Sequence, residues 1–467
     1  MTDRHDKMQT TQFGLSEIWL YDIVKSRITT SWRSSEMHEK FQDEFLDSSK
    51  YTYFGIISWS IDIGVLLSSN TLKNREVQEL INSNATFDVL IMENVNNDAI
   101  SVLRYRFNCS LIAQVPFTSP IFNEYFIGNP SSIAYVPDVI APYDSHLSFW
   151  ERLQNTYRQI VTYMLLQLKQ IPSQTGIKEE LFPGMPDLYT DIYNVDLHFV
   201  SSNPSLNDPI PLPPNAKEIG GHHVSSPDPL PEDIEKFMND AKDGVILFSM
   251  GSILSGDLFS AQNKEAFLRI FSKLKQKVIW SVDDKMLEES DNIMLKKWVP
   301  QKDILAHPNT ILFISHGGLL GTYEAIYSGV PILGIPVVWD QVRNIEDAAR
   351  KGFAIRFNFE DFTEQAFEEA LHELINNTNY RMNAKKRSKI FHDRIATPLE
   401  EAVFWTEYVI RHKGAQHLRP SVMDLKWYQR YLIDVLVFIT VLSILFISVV
   451  YLVIKKIMTF DSKIKKD

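Results

Sequence analysis

From Gly244 onward the sequence alternates short apolar runs with helical stretches, and this alternation constrains the fold more than any other feature. The runs are GVILFSM (244–250), KVIWSV (277–282), TILFIS (310–315), VPILGIP (330–336) and FAIRF (353–357). Strands that are apolar throughout, without an outward polar face, belong to a sheet covered on both sides. Intervening helices supply right-handed crossovers, so this half is predicted as an open parallel α/β sheet. Ligands of such sheets bind outside the carboxyl ends of the strands, and the residues just after each run are therefore the ones to read for chemistry.

The first half is less regular. FDVLIM (87–92) and CSLIAQVPF (109–117) are predicted strands around a short helical stretch, which makes a βα unit. Residues 204–231 carry eight prolines with Gly220 and Gly221 among them, a linker composition. The expected organisation is an incomplete first domain over 1–219, a linker over 220–232, and a second domain over 233–432 with a helix at about 398–412. A chain of 467 residues with 45% apolar and 22% charged residues accommodates two such cores. Its formal charge of −11 gives no general attraction to phosphate backbones, so nucleic acid is not an expected partner. Cys109 is the only cysteine, which excludes an intrachain disulfide and a cysteine metal cluster.

Near the carboxyl end, residues 435–454 run for twenty positions without a charge, inside an expected membrane helix over 433–454. The tail that follows, 455–467, contains five lysines and two aspartates. Excess lysine places a tail in the cytosol, and the body on the other side. The amino terminus, MTDRHDKMQTTQFG, is polar where a signal peptide needs an apolar core, so the two ends predict opposite orientations. Asn84, Asn108 and Asn376 stand in glycosylation sequons, which a lumenal body alone would use.

Four strand ends in the second half carry candidate binding groups. His316-Gly317-Gly318 precedes a helix expected to open near Leu320 and to close at Gly329. Glycines allow backbone amides close to a ligand and a helix start attracts anions, which suits a diphosphate; a satisfied histidine in a tight turn fits the same residues. Glu324, expected in the first turn of that helix, either complements its dipole or accepts from two ribose hydroxyls. Trp298 and Gln301 open a loop where an indole can stack on a base and an amide can bond its edge, though a core tryptophan is the commoner arrangement. Trp339-Asp340-Gln341 begins another helix with Asp340 as its expected N-cap, and offers acceptors and donors to sugar hydroxyls. Met250-Gly251-Ser252 adds a glycine turn and a hydroxyl.

The 44 residues 298–341, WVPQKDILAHPNTILFISHGGLLGTYEAIYSGVPILGIPVVWDQ, resemble the signature of the UDP-glycosyltransferases. The resemblance extends to FSMGS (248–252), AVFWTEYVIRHKGAQHLR (402–419), the apolar span and the lysine tail, and more loosely back to Phe87. It implies a GT-B fold, two Rossmann-like domains facing a cleft, plus one carboxy-terminal transmembrane helix. It further implies that Trp298 stacks on uracil, that Gln301 contacts the nucleoside and that Glu324 holds the ribose. Ser252, His316, Gly318 and the amides near Gly321 then meet the diphosphate, and Asp340 and Gln341 the donor sugar. Leu320 departs from relatives that carry a polar residue there. The tail 463–467 resembles a dibasic retrieval signal of the endoplasmic reticulum.

The family's base is a histidine after the first strand of the amino-terminal domain, paired with an acid. His5 and His38 do not stand after an apolar strand, so the base and its βα unit are expected to be missing. Glu93 is the first candidate for the acid partner and Asp98 the second. The expected function is inverting transfer of a sugar from a UDP-sugar donor to a small lipophilic acceptor, without a metal. UDP-glucose is favoured over UDP-glucuronate because no arginine is placed for a sugar carboxylate. The alternatives are a catalytically silent membrane protein that binds nucleotide or a full-length partner, as a homo- or hetero-oligomer, and an enzyme using another nucleotide donor.

Overall fold

The computed structural model describes residues 52–464 apart from 118–126, 130–131, 193, 252–258 and 285. The chain forms two compact units, Met1–Leu418 and Arg419–Asp467. The larger unit contains two wholly parallel sheets. The first is ordered β1-β2-β3-β4, from β1 (Val89–Glu93), β2 (Ser110–Val115), β3 (Leu197–Val200) and β4 (Ala216–Glu218). The second is ordered β10-β9-β8-β5-β6-β7. Its strands are β5 (Val245–Ser249), β6 (Lys277–Ser281), β7 (Ile293–Lys296), β8 (Thr310–Ser315), β9 (Ile332–Gly334) and β10 (Ala354–Arg356).

Strand order in the second sheet reverses between β5 and β8, where a doubly wound sheet opens its ligand crevice. Every residue of β5 is buried, and alternate side chains feed different cores. Leu247, Ile279, Phe313 and Ile332 point to one face. Ile246, Phe248, Trp280 and Ile314 point to the other, where Phe248 stacks on Trp280 at 5.0 Å. Burying such side chains stabilises by roughly 1.5–3 kcal/mol each, which is why polar residues on the central strands stand only at their ends.

Helices used below are α1 (Tyr53–Lys73), α2 (Phe149–Leu165), α3 (Ile171–Leu181), α4 (Gln301–Ala306), α5 (Leu319–Ser328), α6 (Asp340–Arg350), α7 (Pro398–Arg411) and α8 (Ile433–Ile464). The proline-rich segment is tied down where it follows the first sheet: Asp303 Oδ1 accepts from the Asp228 amide at 2.7 Å, and Lys302 Nζ donates to Ser225 Oγ at 2.9 Å. Helix α7 starts with a capping box on Thr397 and Glu400, and its Val409 is buried with Ile112, Leu197 and Phe199 of the first sheet. The last helix of the larger unit therefore returns to the first domain. In the smaller unit, the 26 residues Ile433–Met458 of α8 are long and apolar enough on average to cross a membrane. At 1.5 Å per residue that is about 39 Å, enough to cross a hydrocarbon layer of about 30 Å.

His198 in β3 is fully buried, and neither ring nitrogen has a hydrogen-bond partner. Burial pushes its pKa down to about 3. An unfolded chain takes up a proton near pH 6.5 that the folded chain refuses, so this residue's contribution to stability falls as pH drops from 6.5 towards 3. Relative to wild type, His198→Leu is expected to gain stability by about 1.4 kcal/mol for each pH unit between 6 and 4. Urea unfolding of both proteins across that range measures the divergence; parallel curves would refute it.

Candidate active site

The two central strands of the second sheet end in the same way. Ser249 and Ser315 are register partners, and each is followed by one residue and then a glycine at positive φ, Gly251 at 78° and Gly317 at 80°. Each serine hydroxyl accepts from its glycine amide, at 3.3 Å and 3.2 Å. A side chain is disfavoured at such a φ, and here it would also collide. A Cβ on Gly251 would lie 2.6 Å from His316 Cε1, and one on Gly318 2.4 Å from His316 Nε2. The imidazole is thus held between two glycines.

His316 Nδ1 is buried without a protein partner, and burial lowers the pKa of the ring to about 4. At neutral pH the ring is uncharged and carries one N–H. Gly318 caps α5, whose first amides, on Leu319, Leu320 and Gly321, have no acceptor within the helix. Asn344 fixes this loop to the neighbouring helix, donating to the Gly317 carbonyl at 3.1 Å and to Asp340 Oδ2 at 2.8 Å.

Around this centre the anticipated residues fall into three groups. Gln301 is the first residue of α4, and its Nε2 donates to Glu324 Oε2 at 2.6 Å. Gly321 leaves room for that amide, since a Cβ there would lie 3.1 Å from it. Glu324 stands in the second turn of α5, one turn later than the sequence suggested, so dipole complementation does not account for it. Burial raises its pKa. Trp298, 74% exposed, is no core residue.

Asp340 is the first residue of α6, and Trp339 occupies the N-cap position expected for it. Burial pushes the Asp340 carboxyl up to about 6. Gln341 Oε1 accepts from the amides of Val337 and Val338, at 2.9 Å and 3.1 Å, which leaves its NH2 group to donate elsewhere. Ser252, His5 and His38 lie outside the described residues.

In the first domain the two acid candidates part company. Asp98 is buried and accepts from Gln170 Nε2 at 2.6 Å, with its pKa raised to about 6 by burial. Glu93 is exposed at the carboxyl end of β1. The next residues, Asn94, Val95 and Asn96, border a small cavity that is open to solvent. Helix α1 contributes Ile57, Ser60 and Ile61 to its wall, and Trp339 reaches into it from the second domain. No group of three or more His, Cys, Asp or Glu side chains suited to a metal occurs among the described residues.

Two features were missed in the sequence, and only one of them was invisible there. Trp339 adopts φ 57° and ψ −135°, a conformation with no sequence marker in a tryptophan. Asn344, by contrast, sits four residues after Asp340 on one helix face, a spacing that could have drawn attention to it.

The family model described as UDP-glucoronosyl and UDP-glucosyl transferase matches residues 11–467. A UDP-glycosyltransferase of Dactylopius coccus, UGT5, is 36% identical over 401 residues, covering 85% of this chain and 76% of the relative. UDP-glucuronosyltransferase 2B18 of Macaca fascicularis is 32% identical over 387 residues, covering 82% and 72%. Among solved structures, the spinosyn forosaminyltransferase SpnP superposes with a TM-score of 0.53 at 15% identity, covering 75% of this chain and 83% of that one. The glycotransferase of kitacinnamycin gives 0.50 at 17% identity, covering 75% and 82%. The fold is therefore GT-B.

Proposed function

The chain belongs to the UDP-glucuronosyl and UDP-glucosyl transferase family, and from that premise we propose that it transfers glucose from UDP-glucose, with inversion, to a hydroxyl of a small lipophilic acceptor. The observation that carries the reading is the His316 ring clasped between Gly251 and Gly318, beside the open amide end of α5 and at the crossover point of the sheet. A diphosphate fits there: the ring nitrogen lacks a protein partner, and the first amides of α5 stand open beside it.

In this reading Trp298 stacks on uracil, Gln301 bonds its edge or ribose, and Glu324 takes the ribose hydroxyls. His316, Gly318, Gly321 and Ser252 serve the diphosphate, and Asp340 with the NH2 group of Gln341 serves the sugar. The acceptor oxygen bonds to the anomeric carbon while the bond from that carbon to the diphosphate oxygen breaks, and the electron pair leaves with UDP. The hydroxyl proton goes to a base: the family resemblance implies a histidine oriented by an acid, and where that histidine is missing water takes the proton. Glu93 suits the acid's role better than Asp98, whose carboxyl is buried against Gln170.

Glucose is favoured over glucuronate on electrostatic grounds. Arg343, one turn beyond Asp340, is buried, and its charge is paired with Asp347 at 3.0 Å while Nη1 donates to the Tyr143 carbonyl at 2.5 Å, so it is turned to the protein and not to a sugar carboxylate. Asp340 would repel that carboxylate once ionised. Helix α8 is read as a single membrane anchor, with the body in the lumen of the endoplasmic reticulum and the lysine tail in the cytosol.

The second reading, a silent nucleotide-binding protein, draws on the described wall of the cavity, which includes no titratable side chain. Full-length chain in microsomes, given radiolabelled UDP-glucose or UDP-glucuronate and a panel of phenols and alcohols, separates the readings. Glucoside formation is expected, with glucuronide at least about tenfold slower. Tight UDP binding with no product from any donor would overturn the catalytic reading in favour of the silent one.

A further inference from the structure

Trp339 holds a backbone conformation, φ 57° with ψ −135°, that glycine adopts freely and that a β-substituted residue adopts at a cost of order 1–3 kcal/mol. Such strain persists where its surroundings enforce it, and here it aims an indole out of the second domain into the cavity of the first. The ring meets Trp59 of α1, with centroids 6.3 Å apart and planes tilted by 33°. Trp339 and Phe117 are the aromatic members of the described cavity wall, and Trp59 packs against Trp339 from α1.

The polar groups around the same cavity are largely engaged with the protein itself. Ser60 Oγ donates to the Ile57 carbonyl at 2.9 Å and accepts from Asn96 Nδ2 at 3.0 Å. Thr162 Oγ1 is 2.8 Å from the Tyr53 hydroxyl, and Gln170 Nε2 donates to Asp98. With these groups turned inward, the cavity offers a ligand π-faces and aliphatic surface, and no printed wall residue carries a charge.

We infer that Trp339 is an acceptor-specificity residue, and that its indole, packed against Trp59, selects flat aromatic alcohols such as phenols and naphthols over saturated alcohols of the same size. The inference rests on the glycosyl-transfer reading and deepens it. Trp339 immediately precedes Asp340, the group proposed to hold the donor sugar, so a ring stacked on the indole lies one residue away from that sugar's anchor. Stacking on the Trp339 indole fixes the plane of an aromatic acceptor, and therefore the direction of its hydroxyl; a chair-shaped ring of equal volume presents no π-face to match.

The test uses the full-length chain in detergent micelles with saturating UDP, and binding is followed by the intrinsic fluorescence of 2-naphthol, without turnover. Trp339→Gly removes the ring and suits the backbone conformation, so its thermal midpoint is expected to equal or exceed that of wild type. Its Kd for 2-naphthol is expected to rise at least about tenfold, and Trp339→Phe to recover most of that loss. Displacement by decahydro-2-naphthol, the saturated counterpart, should change less than about threefold in either variant. Trp339→Leu, which keeps an apolar side chain without a π-face, carries the same expectation and replaces Trp339→Gly if that variant does not fold.

Unchanged naphthol binding in the variants, or equal loss for the saturated alcohol, overturns the inference. Failure of all sugar transfer alongside the expected binding losses would instead sink the glycosyl-transfer reading and leave the aromatic selectivity standing.

Discussion

Replacing His316 with alanine is expected to lower kcat for sugar transfer by about 10²- to 10³-fold, with a smaller effect on the KM for donor. The argument starts from charge. As the bond between anomeric carbon and diphosphate breaks, negative charge grows on the departing oxygen, and a fixed N–H in an enclosed site stabilises it more in the transition state than in the ground state. The ring is uncharged at neutral pH because burial lowers its pKa to about 4, so it acts as an oriented dipole and not as a cation. It needs no reorganisation, because Gly251 and Gly318 leave the imidazole little other space. His316→Gln, which keeps an N–H donor on a differently shaped side chain, is expected to regain part of the loss. Stopped-assay kcat values at saturating donor and acceptor decide the matter: if alanine retains a third or more of wild-type turnover, the ring does not serve the leaving group.

The second sheet was legible in the sequence because physics leaves its strands little choice. A central parallel strand is covered on both faces, so β5, β6 and β8 appear as apolar runs, and glycine turns mark the ends of β5 and β8. Strand β7, inferred only as whatever preceded Trp298, is at the edge of the sheet and is only partly buried, which dilutes the pattern. Strands β3 and β4 were missed for different reasons. Leu197–Val200 has only four residues and contains a buried histidine, and Ala216–Glu218 has three residues inside a proline-rich stretch that looked like linker.

The same distinction applies to the site. Residue types that bind through geometry local to one strand end, such as His316 with its glycines, announce themselves by spacing. Contacts made across the fold do not: nothing in the sequence brings Trp59 to Trp339, or Arg343 to the carbonyl of Tyr143, two hundred positions away. Glu324 lies between these cases. Its identity was visible, but its reason was misjudged, because the helix begins at Leu319 and puts the carboxylate in the second turn, opposite Gln301.

That displacement sharpens the second large prediction. A carboxylate outside the first turn gains little from the helix dipole, and burial raises its pKa, so in the free protein Glu324 is held at a cost that the Gln301 hydrogen bond only partly offsets. A ligand with two adjacent hydroxyls would supply the missing donors, one to each oxygen, since the oxygen bonded to Gln301 still has a lone pair. Glu324→Ala is therefore expected to weaken UDP binding about 100-fold, close to 2.7 kcal/mol, and to raise the donor KM correspondingly. Loss of affinity alone would not identify the ribose, because the change also strands the Gln301 amide. A cycle with 2′-deoxy-UDP-glucose separates the two effects. Wild type should bind the deoxy donor at least about tenfold more weakly than UDP-glucose, and Glu324→Ala should bind both within about a factor of two. If the variant still discriminates between the two donors as strongly as wild type, the 2′-hydroxyl is read by another group and the carboxylate only positions Gln301.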